Sequence, residues 1–99
     1  MSDDEGSSST TEEHQQALPE IEARLTDNLI LLKVHCVKHK GVIANLLNQV
    51  EKLNLIVVNT NVTPFGDVAL HITVIAEMEK EFSSTVKEVV AALRTALGP

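Results

Sequence analysis

Few residues in this chain are suited to chemistry: one cysteine and four histidines, His14, His35, Cys36, His39 and His71. His35, Cys36 and His39 stand in a His-Cys-x-x-His spacing, which raises the question of a metal site. On a strand, though, adjacent residues point to opposite faces, so His35 and Cys36 cannot reach one ion. His14 and His71 are distant in sequence, and no second Cys or His cluster completes a four-ligand set. The expectation is no metal centre and no cofactor, with Cys36 a small buried hydrophobe. A lone cysteine also excludes an intramolecular disulfide and suits a reducing compartment. Catalytic patterns are missing too: there is no Ser-His-acid run, no G-x-S-x-G and no phosphate loop. His71 reads as an interface residue rather than a base, and the chain reads as no enzyme.

The charge pattern excludes a further class. Of a net charge of −6, the tail residues Asp3, Asp4, Glu5, Glu12 and Glu13 carry most, while all eight Lys and Arg lie beyond them in a nearly neutral segment. A nucleic-acid binder needs clustered cations to displace counterions, and a single-strand binder also needs aromatic platforms. This chain has two Phe, no Tyr and no Trp. No direct contact with nucleic acid is expected. No apolar run approaches the ~20 residues that cross a bilayer, and no basic-then-apolar leader is visible, so no membrane association is expected.

At 99 residues, with 43% apolar and 22% charged, the chain is one packed domain whose core must come from Val, Ile, Leu and Ala. Residues 1–18 are acidic and rich in Ser and Thr and read as a disordered linker, with the folded domain at 19–99. Glu20 to Leu25 alternates polar and apolar, the mark of a strand with one wet face. Thr26-Asp27-Asn28 is turn chemistry, and Leu29 to Val37 is a second strand. After Gly41 the period changes: Val42, Ile43, Leu46, Leu47, Val50 and Leu53 predict a helix of roughly three turns, with Asn54 as a left-handed cap. Leu55 to Thr63 is a strand, Pro64-Phe65-Gly66-Asp67 a turn, and Val68 to Met78 another strand. Phe82, Val86, Val89, Val90, Leu93 and Leu97 form the stripe of a last helix, with Ser83 to Thr85 near its start.

The order ββαββα predicts an α+β two-layer sandwich, a permuted ferredoxin-like fold. Four antiparallel strands carry both helices on one face, and the N-terminal strand fills the slot usually taken by a last strand. The helices should cover Ile30, Leu32, Val34, Cys36, Ile56, Val58, Val62 and the even positions from 68 to 78. The other face should carry Leu29, Leu31, Lys33, Val57, Asn59, Asn61, Ala69, His71, Thr73 and Ile75. Leu, Leu, Val and Ile close together on an uncovered face point to association, and a small domain covered on one side gains from it. The residues expected at a dimer interface are Leu29, Leu31, Lys33, Val57, Asn59, His71, Thr73 and Ile75. Strand edges, at 20–25 or 55–63, and the exposed side of the last helix are the alternative contacts.

Several ordered stretches carry a resemblance. They are Glu20-Ile21-Glu22-Ala23-Arg24, Ile30-Leu31-Leu32-Lys33-Val34-His35-Cys36, Lys38-His39-Lys40-Gly41-Val42-Ile43, Val50-Glu51-Lys52-Leu53-Asn54-Leu55, Val62-Thr63-Pro64-Phe65-Gly66 and Ile72-Thr73-Val74-Ile75-Ala76-Glu77-Met78. Over about residues 19–97 this set resembles the C-terminal ACT-like domain of plant basic helix-loop-helix (bHLH) transcription factors. The resemblance implies a nuclear dimerisation module, pairing with itself or with related bHLH factors and tuning DNA binding by an upstream bHLH region that this chain does not contain. It also implies a competing reading. Ligand-sensing ACT domains bind amino acids at a Gly-containing loop, here matched by Lys38, His39, Lys40 and Gly41. Where those sensors usually have an acidic residue and a Pro before the Gly, this loop is basic, and Gly41 reads first as the residue that permits a tight turn.

Overall fold

The computed structural model describes residues 18–98, so the linker expected at 1–18 lies, but for Leu18, outside the described residues. Six elements follow in the expected order: β1 (Glu20–Thr26), β2 (Leu29–Val37), α1 (Val42–Lys52), β3 (Leu55–Phe65), β4 (Ala69–Met78) and α2 (Val86–Leu97). The strands form one antiparallel sheet in the order β1-β2-β4-β3. A two-residue hairpin joins β1 to β2, and its Asp27 takes the left-handed conformation (φ 52°) that Asp tolerates. The hairpin sets β1 beside β2 in the place the alternation called for.

Both helices lie on one face. α1 turns Val42, Leu46 and Val50 inward, and α2 turns Val89, Leu93 and Leu97 inward. They meet Ile30, Leu32, Val34 and Cys36 of β2 and Leu70, Ile72, Val74 and Ala76 of β4 in one aliphatic core. α1 packs on the β3 side, α2 on β1, and the helices touch each other. Asn45 of α1 donates a 2.8 Å hydrogen bond to the Ala96 carbonyl, satisfying one acceptor in the last turn of α2. Asn54, with φ 66°, follows α1 as the expected left-handed residue. No described helix is long and apolar enough to cross a membrane.

Several expectations are corrected. Ile56 and Val58, assigned to the core, are 49% and 57% exposed. Val57, assigned to the open face, pairs with Ala76 and packs against the core. The cause is a β-bulge: Val57 pairs with Ala76 and Asn59 with its neighbour Ile75, leaving Val58 as an extra residue between them. One extra residue reverses which parity faces the helices. Val68 is a turn residue, 71% exposed, whereas Ala69 keeps its place on the open face and is buried there between its partners Val37 and Phe65. β3 runs on through Pro64 to Phe65, where a turn was expected. Pro64 is tolerated because β3 is an edge strand, where a missing N–H need not break the ladder. α2 starts at Val86, past Phe82, with its cap inside the Ser83–Thr85 stretch expected near its start. Its N-cap Thr85 accepts from the Glu88 N–H while the Glu88 carboxylate accepts from the Thr85 N–H, a capping box that fixes the start.

Candidate functional site

The uncovered sheet face is the candidate site, and the register lays it out in rows across β1, β2, β4 and β3. Thr26, Leu29, Glu77 and Ile56 form the first row. Arg24, Leu31, Ile75 and Asn59 form the second, and Glu22, Lys33, Thr73 and Asn61 the third. Glu20, His35, His71 and Thr63 make the fourth, and Val37, Ala69 and Phe65 close the face. Aliphatic groups thus concentrate at one end, around Leu29, Leu31, Ile75 and Ile56. A polar band follows, then a second apolar patch at Val37 and Phe65.

Seven of the residues expected at an interface lie on this face: Leu29, Leu31, Lys33, Asn59, His71, Thr73 and Ile75. Val57 does not, because the bulge turns it inward. Ile56 takes the matching outward place. His35 and Phe65 were also missing from the expected set. The parity of β2 already placed His35 beside Leu31 and Lys33, whereas Phe65 was hidden by reading Pro64-Phe65 as a turn. The two rings meet edge to face, with centroids 5.1 Å apart.

The charges on β1 are held locally. Arg24 lies 3.6 Å from Glu22, and both are exposed, a pair of small worth in stability. Glu20 reaches to 3.6 Å from His35 Nδ1. Glu20, Glu22, Lys33, His35 and His71 share a hollow on the polar band. Cys36 lies on the other face and is 2% exposed, as expected of a small hydrophobe. Burial pushes its thiol pKa up, so the reactive thiolate is disfavoured.

The loop of Lys38, His39, Lys40 and Gly41 leads into α1. Gly41 adopts φ 83°, a left-handed conformation that a side chain would strain. With Pro64 and Asp67 the loop borders an open hollow of about 650 Å³. Two lysines beside a helix N-terminus favour an anion there, and the Asp67 carboxylate opposes one. The geometry accounts for Gly41 by the turn alone.

The family described as plant bHLH transcription factor, ACT-like domain matches residues 20–98. Over 86 residues the chain is 49% identical to Transcription factor bHLH19 of Arabidopsis thaliana, covering 86% of this chain and 29% of that protein. It is 45% identical over 83 residues to Transcription factor NAI1 of the same organism, covering 84% of this chain and 26% of that protein. With Transcription factor bHLH25, also from Arabidopsis thaliana, identity is 44% over 80 residues, or 81% of this chain and 24% of that protein. The chain thus spans less than a third of each relative. No solved structure matches it.

Proposed function

Because the chain belongs to the ACT-like domain family of plant bHLH transcription factors, we propose that it is the part of such a factor that pairs with a second chain. The contact is the uncovered sheet face, between two copies or between this chain and a related bHLH factor. The observation that carries this reading is the aliphatic end of that face, where Leu29, Leu31, Ile75 and Ile56 stand in adjacent rows with neither described helix above them. Burying such a patch against its own copy removes apolar area from water on both sides, at roughly 25 cal/mol per Å². The polar band, with Lys33, Asn59, His71 and Thr73, fixes orientation rather than strength.

Within the whole factor the domain acts through proximity. Pairing here raises the effective concentration of upstream DNA-reading segments for each other, so a weak contact adds avidity without touching DNA. The place of action is the nucleus, where transcription factors work, and the role is regulatory rather than catalytic.

Sedimentation equilibrium over a micromolar range tests the reading, on this chain and on the double variant Leu31→Asp, Ile75→Asp. The expected result is a dimer that the variant converts to a folded monomer. A native chain that stays monomeric at every concentration sinks self-pairing. A dimer that survives both substitutions moves the contact to a sheet edge, with β3 first in line because its eleven residues carry no charge to repel a second strand.

A further inference from the structure

We propose that His35 and His71 form a binding site for a transition-metal ion on the uncovered face, with Glu20 as the residue that orients His35. The His-Cys-x-x-His run does not supply this pair, since His35 and Cys36 lie on opposite faces; the register creates it. His35 and His71 are direct partners across β2 and β4, on the same side of the sheet. Their ring centroids are 6.1 Å apart, with the planes tilted by 35°. Two imidazoles sharing one ion, each nitrogen about 2.0–2.1 Å from it, have ring centres roughly 5–6 Å apart. Small side-chain rotations close that gap.

Two further observations point the same way. Among the described residues, His35 Nε2 is shielded from solvent and has no hydrogen-bond partner. An orphaned polar atom of this kind asks for an ion or an ordered water. The other ring nitrogen, Nδ1, faces Glu20 Oε1 at 3.6 Å, beyond a good hydrogen bond but within reach of one. A carboxylate that holds the proton on Nδ1 leaves the Nε2 lone pair free, which is how ligating histidines are commonly supported. Glu22 and Lys33 border the same hollow. Arg24, paired with Glu22, and Lys33 offset the two carboxylates, so the two imidazoles rather than net charge hold the ion. Among the described residues no three His, Cys, Asp or Glu side chains gather as a metal-holding group. Water therefore completes the coordination, and Cu²⁺ should bind more tightly than Zn²⁺, following the usual order for nitrogen ligands.

The site is complete within one chain, so its test does not depend on dimerisation. The full chain, labelled with ¹⁵N at histidine, is titrated with ZnCl₂ and then with CuCl₂, using calorimetry for both and imidazole NMR for zinc. The expected result is saturation at one ion per chain, with the His35 and His71 ring signals moving together. His71→Gln should weaken binding by at least tenfold, Glu20→Gln by about tenfold, and His39→Gln not at all. The dimer-face variant Leu31→Asp, Ile75→Asp should still bind. In the Leu31→Asp, Ile75→Asp background, where the face is unpaired and His71 is exposed, His71→Gln should keep the metal-free melting temperature, so a loss of binding is not a loss of fold. Three results overturn the proposal: no saturable binding, binding that survives His71→Gln, or a metal-free His35 that carries its proton on Nε2 and donates it to the Phe65 ring.

Discussion

The two faces of the sheet share the same four strands and differ in what they ask of each residue. On the covered face, Ile30, Leu32, Val34, Ile72, Val74 and Ala76 are aliphatic and fully buried. On the other face, Leu31 and Ile75 sit one row from Lys33 and Thr73, and two rows from His35 and His71. A core demands only apolar volume, so its residues are interchangeable in kind. A recognition surface demands apolar area together with placed polar groups, so its residues are mixed. The proposed contact draws on that mixture.

The sharpest way to break this contrast is to place one charge on either side of a single strand. Leu32→Asp puts a carboxylate into the core, at a cost comparable to the whole stability of a domain this size. That variant should fail to show a cooperative thermal transition. Leu31→Asp, its neighbour, should keep the transition and weaken self-association, read by circular dichroism and sedimentation together. If both variants unfold, the faces do not differ in the way described.

A smaller effect tests the bulge. Val57→Ala should lower stability by about 1–3 kcal/mol through lost core packing, and Val58→Ala by less than about 0.5 kcal/mol. Urea denaturation of the two variants decides it, and equal losses would remove the bulge from the account. The capping box comes next: Thr85→Ala should cost about 1 kcal/mol and leave association unchanged. The mildest test concerns pH. Burial raises the Cys36 pKa above its ordinary 9.0. The unfolded chain therefore releases that proton first as pH rises. The contribution of Cys36 to stability is intact below about pH 9 and declines as pH climbs past it. Urea titrations at neutral and alkaline pH should show the decline steeper in the native chain than in Cys36→Ala.

Where the pattern has a single period, the sequence was legible. β2 and β4 pair in one unbroken register, so the fate of Leu31 against Leu32, and of Ile75 against Val74, followed from parity. The α1 stripe and the turn into it at Gly41 were equally plain. β3 was not. Its run Leu55-Ile56-Val57-Val58 is apolar on both parities, so nothing in the residue types marks where a bulge falls, and Val57 was placed on the wrong face. The start of α2 was blurred because Phe82 continues the apolar stripe, although Thr85 and Glu88 at capping-box spacing marked the true start. The meeting of His35 with His71 depends on strand register, which pairs residues 36 positions apart and which no local window shows.

The bulge at Val58 bears on how this domain can change in length. Losing one residue inside a strand normally throws every later side chain onto the opposite face. Here the ladder already counts one residue too many, and removing Val58 would set Val57 and Asn59 in plain alternation opposite Ala76 and Ile75. A three-nucleotide deletion at this codon should therefore pass almost silently, while the same loss two codons away would scramble the face. Among descendants of this gene, length variation inside β3 should collect at that one position.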